Sequence, residues 1–409
     1  MAISVLNGLK VLDFSRILAA PYCAQLLGDH GATVWKIERP GTGDEVRRWH
    51  PPEIHGQSCY FVAVNRNKKS VALNLGHADG RRLARRLAER ADVVLENFKT
   101  GQMQRFGLGY EQLAEVNPRL VYCSITGKSS SPSSLFFRYG STGPYAQDPG
   151  YDVIAEAVGG FMSITGPQSG EPCKAGTAII DLLTGVHAFS GILMALLARG
   201  QNGGRGQRVE CNLLATQIAA LANMASNYLN AGVVGRSWGT AHESIVPYQA
   251  FRTKDGRFYV VGAADNSSFA HLCELLELPE VAEDPDFATN AKRVENRERL
   301  LGILSEKFAT EDLEFWKTKL RNRRFPSGPV HNVAEAFDHE QVRHLGLVQE
   351  VEHPAYGRNT VKYSEIRNDV RSAPPLLGEH TAEVLKEELD IDERKLREYE
   401  QSGAIGLSF

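Results

Sequence analysis

The chain has 409 residues, more than one ordinary core fills, so two domains are the default expectation. Its 46 Lys and Arg against 49 Asp and Glu give a formal net charge of -3, which excludes a global basic field for nucleic acid or an anionic membrane. The six cysteines form no CxxC pair and read as reduced core residues rather than a disulfide framework.

Met1 to Gly8 runs straight into a strand pattern, leaving no room for a secretory signal or an Arg-rich transit peptide, so the cytosol is expected unless a leader is missing. Strand Leu9–Phe14, helix Pro21–Gly28 and strand Ala32–Arg39 make a compact βαβ unit. Lys68 and Lys69 read as turn residues. A polar helix, Asp79–Arg90, precedes strands Asp92–Glu96 and Arg119–Ile125, and this alternation favours a mostly parallel sheet. The run Lys128–Arg138, polar and Ser-rich, reads as a surface loop or an insertion.

Leu182 to Arg199 is apolar around most of a helical surface and reads as a buried helix, stopped by Gly200 and Asn202–Gly206. No stretch reaches the uninterrupted apolar length of a membrane span. A second apolar helix is expected over Leu213–Leu229, followed by a Gly-rich break from Asn230 to Thr240. The hairpin Tyr248–Val261, turning at Lys254-Asp255-Gly256, then opens a second domain near residue 232. Helices Asn296–Phe308 and Leu313–Arg321 complete that domain, and a Pro-rich region leads to a terminal helix, Glu379–Leu389.

Several chemistries lack their signatures. Ser15 to Pro21, after the first strand, contains no glycine and so no dinucleotide fingerprint. There is no Walker A loop and no GxSxG elbow, and His339 and His344 fall on different helical faces, as solvated residues rather than metal ligands. What remains is a carboxylate nucleophile or a non-enzyme. Asp181 is an ionisable group at the start of the long apolar helix. Asp is a favoured N-cap, and the same helix end would hold a carboxylate ionised and nucleophilic, so local sequence supports both readings.

Six spaced segments carry a resemblance: Leu12 to Pro21, Lys36 to Pro40, Asn65 to Ser70, Glu96 to Phe98, Ala178 to Gly185 and Leu377 to Thr381. In that order, over nearly the whole chain, they resemble the class III CoA-transferase family. Ser124–Gly127, Cys211–Leu214 and Trp238–His242 ahead of Ser244–Phe251 are most similar to the members that exchange CoA between succinate and glutarate.

The resemblance implies an α/β fold built as an interlocked, ring-like homodimer. Each chain would have a large Rossmann-like parallel-sheet domain in residues 1–231, a smaller α+β domain in 232–330, and a return segment, 331–409, completing the large one. It implies transfer of CoA from succinyl-CoA to a dicarboxylic acid such as glutarate, with the CoA thioester as substrate and no tightly bound cofactor or metal. Asp181 falls on the nucleophile position. Arg39 and Arg105 would meet the nucleotide phosphates, where the guanidinium fork suits phosphate, and Asn97 and Phe98 would line the adenosine or pantetheine path. Leu18 would lie beside the thiol end, Tyr139 on the CoA path, and the compartment would be the mitochondrion. Neither nucleic acid nor membrane is an expected partner.

The chain departs from the family pattern in the Lys128–Arg138 run, which separates Gly127 from Tyr139, and, on the expectation above, in having no leader where mitochondrial members carry one. Gly239–Ser244 replaces the poly-glycine loop of formyl-CoA transferases, which argues against oxalate and makes His242 a candidate on the substrate side. The rival within the fold is an α-methylacyl-CoA racemase, but its proton-transfer His position holds Tyr151, whose pKa near 10 suits a near-neutral base poorly. A catalytically impaired CoA-binding protein is the other alternative.

Overall fold

The computed structural model describes residues 4–125, 140–145, 150–321, 323–354, 357–362 and 370–408; Tyr139 and the Lys128–Arg138 run lie outside them. The chain forms two compact units: Met1–Phe161 with Lys174–Val233 and His344–Phe409, and Met162–Cys173 with Val234–Arg343. The second unit was expected over 232–330; it runs on to Arg343 and takes in a short stretch before Lys174.

In the first unit, strands β1 (Lys10–Asp13), β2 (Thr33–Glu38), β3 (Lys68–Leu73), β4 (Val93–Glu96), β5 (Val121–Ile125) and β6 (Arg208–Cys211) lie in the order β3-β2-β1-β4-β5-β6, all parallel. The short strand Ile405–Gly406 pairs antiparallel with β3 and closes that edge. Successive strand residues face opposite sides, so Leu12, Trp35, Val71 and Val94 enter one core with the helix Ala78–Ala88, while Val11, Val34, Val93 and Val121 enter the other. The second face is covered by α1 (Ala19–Asp29) and by Ile179–Gln201, hereafter α2. These two helices meet at Gly185, where a Cβ would lie 2.6 Å from the Ala19 carbonyl oxygen, so only glycine permits the approach.

Four expectations are corrected. Lys68 and Lys69 begin strand β3 rather than a turn, because Lys68 has buried partners that a solvated turn would not offer. The expected helix Leu213–Leu229 is two, Leu213–Ala220 and Asn223–Ala231, broken where Ala222 takes φ 47° and ψ -115°. The terminal helix, Thr381–Leu389, is followed by a second one, Glu393–Gln401, before the edge strand. Finally, α2 is long and apolar enough to cross a membrane by length and composition, with mean hydropathy 1.8 over an 18-residue window of which 39% is buried. Its buried face packs on α1 and the sheet.

The second unit is α+β: a three-stranded antiparallel sheet of Tyr248–Arg252, Phe258–Gly262 and Ser327–Pro329, backed by helices. Its centre is aromatic, with Phe251 stacked on Phe308 at 4.9 Å and Trp316 tilted against Phe308 at 4.8 Å.

Candidate active site

The strand order reverses between β1 and β4, and in a doubly wound sheet the crevice beyond the C-terminal strand ends at that point is where ligands bind. The loop that leaves β1 there, Ser15–Leu18, has no glycine, and side chains shape it instead. Ile17 adopts φ 71°, a costly conformation for a β-branched residue. Its N–H is held by both carboxylate oxygens of Asp44, at 3.2 and 3.3 Å. Asn97, after β4, grips Arg16 from the other side: its carboxamide oxygen accepts the Arg16 N–H at 2.9 Å and its NH₂ donates to the Arg16 carbonyl at 2.7 Å.

Beneath the loop lies a buried ionic lattice. Lys36 pairs with Asp44 at 2.8 Å and donates to the Ser15 carbonyl, Lys68 pairs with Asp13 at 3.2 Å, and Arg47 grips Glu38 through two nitrogens at 2.7 Å. Burial disfavours the Lys68 ammonium, and Asp13 offsets only part of the cost, so its pKa falls to about 8. Burial also opposes the Glu38 carboxylate, but Arg47, Lys36 and Ser70 overcome it and hold Glu38 at about 2. These charges fix the loop from below with partners that are themselves paired.

Asp181 lies at the other end of this loop. It is not the cap of α2; Ala178 holds that position, and Asp181 is the third helical residue, buried in the first turn where the helix dipole favours negative charge. Its N–H donates to a carboxylate oxygen of Asp152 at 2.8 Å. Asp152 starts the helix Asp152–Val158, and one turn on, Glu156 is buried, with one carboxyl oxygen accepting the Ala175 N–H. Burial pushes the Glu156 carboxyl up, the Ala175 N–H opposes this, and the Asp152 carboxyl adds to the rise. Leu18 shares a cluster with Ile17 and Phe61 against which Ala178 and Leu182, from the turn that carries Asp181, also pack.

On its opposite side the loop borders a cavity of about 960 Å³ at the ends of β1, β2 and β3. Arg39 and Phe98 both line it, with Arg16, Arg48, Trp49 and Asn74. The Arg16 guanidinium lies over the Phe98 ring at 4.5 Å, and burial lowers its pKa against the pull of Glu45 and Asp44. Of the other expected residues, Asn97 supports this wall through Arg16, and Arg105 is exposed on the short helix Gln102–Arg105, beside the lining residue Phe106. Sequence reasoning missed Arg16, Arg48 and Trp49; Arg16 stood inside the Leu12–Pro21 motif, whereas only the fold brings Arg48 and Trp49 to the cavity.

His242 belongs to the second unit. Its Nδ1 accepts the Ser244 N–H at 3.0 Å, which leaves Nε2 as the protonated nitrogen of the neutral ring, and the ring meets Tyr248 edge-on at 5.5 Å. Among the described residues no His, Cys, Asp and Glu cluster could hold a metal ion, and His339 and His344 are exposed.

Residues 6–381 match the profile of CoA-transferase family III. The chain is 44% identical over 408 residues to succinyl-CoA:glutarate CoA-transferase of Homo sapiens, covering 98% of this chain and 90% of that protein. It is 38% identical to succinate--glutarate CoA-transferase of Agrobacterium fabrum, covering 93% and 95%. A CAIB/BAIF family protein from Brucella suis superposes with a TM-score of 0.83 at 37% identity, covering 94% of this chain and 99% of that one. The chain belongs to CoA-transferase family III.

Proposed function

We propose that this chain moves CoA from succinyl-CoA to glutarate, with Asp181 as the nucleophile. One observation carries the reading: a single constrained loop, Ser15–Leu18, joins a cationic, aromatic cavity at the sheet's switch point to the buried first turn that holds Asp181. A cavity of about 960 Å³ accommodates a nucleotide, and its arginines and aromatic rings suit phosphate and adenine. In this reading Arg39 meets phosphate with Arg16 and Arg48, Arg105 adds charge at the rim, Phe98 packs on the adenosine or pantetheine, and Leu18 guides the thiol end to Asp181. Substrates named for the human and Agrobacterium relatives supply the donor and acceptor.

The Asp181 carboxylate attacks the thioester carbonyl, the C–S bond breaks, and CoA leaves as a thiolate, giving a mixed succinyl-aspartyl anhydride. The thiolate attacks the Asp181 carbonyl carbon, releasing succinate and leaving an aspartyl-CoA thioester. Glutarate attacks that thioester to form a second anhydride and thiolate, and thiolate attack on the glutaryl carbonyl yields glutaryl-CoA and regenerates Asp181. Acyl exchange between thioester and acid is nearly thermoneutral, so a covalent relay through the chain's own carboxylate accounts for it.

Treating the protein with succinyl-CoA and then hydroxylamine should convert Asp181 to a hydroxamate, visible by mass spectrometry of its peptide. Absence of that adduct in folded protein sinks the proposal. Asp181→Asn should lower transfer by roughly a thousandfold or more, in line with loss of a covalent nucleophile.

A homodimer fits the same reading, because helices of the first unit turn apolar side chains outward, among them Met194 and Leu197 on α2 and Leu229 on Asn223–Ala231.

A further inference from the structure

Helix α2 starts without a cap of its own. Ala178 stands at the cap position and has no side chain to accept a hydrogen bond, so an acceptor for the first-turn N–H groups has to come from elsewhere in the first unit. The helix Asp152–Val158 brings two acids to this end. Asp152 accepts the Asp181 N–H at 2.8 Å and Glu156 accepts the Ala175 N–H at 3.0 Å, so their carboxyls take hold of the chain on either side of Ala178. The two acids are four residues apart and share a helical face, where their carboxyls are hydrogen-bonded to each other. Their platform is rigid: Ala155, between them, lies in one core with Ile180 and Leu213, and a Cβ at Gly159 would lie 2.1 Å from Gln217 Cγ on Leu213–Ala220.

Two ionised carboxyls in hydrogen-bond contact repel, so such a pair holds one proton between them. Glu156 is fully buried, and burial favours its neutral form; Asp152 adds to that preference, while the Ala175 N–H and the Lys174 charge oppose it. The first turn of α2 contributes Asp181 to this neighbourhood, and Leu213–Ala220 contributes Gln217 and no ionisable group.

We propose that Glu156 is a positioning residue for the nucleophile: its protonated carboxyl donates to Asp152, which keeps Asp152 in place as acceptor of the Asp181 N–H and so fixes the turn that aims the Asp181 carboxylate. The inference rests on the transferase reading above and assigns a residue that acts through Asp152 rather than on the substrate. An ionised Glu156 would push Asp152 away and set another negative charge behind the turn. Glutamine has the shape of the neutral acid and offers the same donor and acceptor at every pH, whereas alanine offers neither.

The test compares the unmodified protein with Glu156→Gln and Glu156→Ala, each checked by circular dichroism, in transfer from succinyl-CoA to glutarate between roughly pH 5 and roughly pH 9. Glu156→Ala should lower kcat by roughly ten- to a hundredfold with KM for succinyl-CoA within about twofold, as expected of a misplaced nucleophile. Glu156→Gln should recover most of that loss, and the ratio of unmodified to Gln activity should fall as pH rises, because only the unmodified carboxyl ionises. Amide hydrogen exchange of the peptide spanning Ile179–Thr184, read by mass spectrometry at a single pH, reports the turn without turnover. It should be about tenfold faster in Glu156→Ala and unchanged in Glu156→Gln. Parallel pH profiles for the unmodified and Gln proteins overturn the proposal, as does a Gln variant as slow as the Ala variant or an Ala variant as fast as the unmodified protein. If Glu156→Ala does not fold, the pH profiles of the other two proteins decide. An unmodified protein without transfer activity refutes the transferase reading, while the exchange rates still decide whether Glu156 holds the turn.

Discussion

At the residue scale, chemistry that looks local proves to be set by distant partners. Glu96 ends β4, where its carboxyl accepts the Ser124 hydroxyl at 2.6 Å and the Phe98 N–H at 2.7 Å. Burial nevertheless pushes it up to about 7, because those two donors and Arg208 do not restore the lost hydration. Between its ordinary value of 4.5 and about 7 the native state therefore holds a proton that the unfolded chain has released, so stability falls as pH rises through that window. The difference amounts to roughly 3 kcal/mol, complete above pH 7. Glu96→Gln keeps the shape and removes the titration. Urea midpoints at pH 5, 6, 7 and 8 should then fall less steeply with pH than in the unmodified protein, and parallel curves would disprove the assignment. Asp181 could be singled out from sequence because a charge opening an apolar helix is conspicuous. Its burial, the Asp152 contact and the strain at Ile17 could not, because each depends on segments far apart in the chain.

At the element scale, the alternation of strands and helices was readable wherever periodicity and flanking breakers agreed: β1, α1 and β2 lie within two residues of their expected bounds. Lys68 misled because a lysine pair looks solvated, whereas Asp13, Asn65 and the Pro21 carbonyl take up its charge inside the sheet. The break at Ala222 was hard to see because Ala219, Ala220, Leu221 and Met224 around it are good helix formers and only Asn223 is not. Glycines in α2 show the same limit. Gly200 was expected to stop α2, but the helix runs through it to Gln201; a Cβ at Gly185 would strike the Ala19 backbone at 2.6 Å, while at Gly200 nothing lies within 4 Å. Gly185→Ala should destabilise by about 1–3 kcal/mol, the range for overpacking, and lower turnover because Asp181 is one turn away. Gly200→Ala should stabilise by up to about 1 kcal/mol at unchanged turnover. Thermal melts and initial rates on the two variants check this, and equal effects would mean that the α1–α2 contact does not position Asp181.

At the scale of the whole molecule, the decisive feature is the apolar surface that one chain leaves uncovered. From sequence, α2 is apolar around most of its surface and reads as a buried helix, but in the fold the face toward α1 and the sheet is enclosed, while Met194 is 63% and Leu197 74% exposed. Leu229, on Asn223–Ala231, is 77% exposed. Exposed leucine and methionine on helices are costly in water, and a second copy of the chain would cover them without requiring a different partner. The mismatch between a sequence that reads as core and a surface that is open thus supplies the argument for assembly that periodicity could not. Leu197→Asp with Leu229→Asp places charges where an apolar interface would close, while both positions remain solvated in a single chain, so the fold should survive. Light scattering should report a dimer for the unmodified protein and a monomer for the double variant, with far-ultraviolet circular dichroism unchanged. A monomeric unmodified protein that sediments with lipid vesicles would instead assign the apolar face of α2 to a membrane.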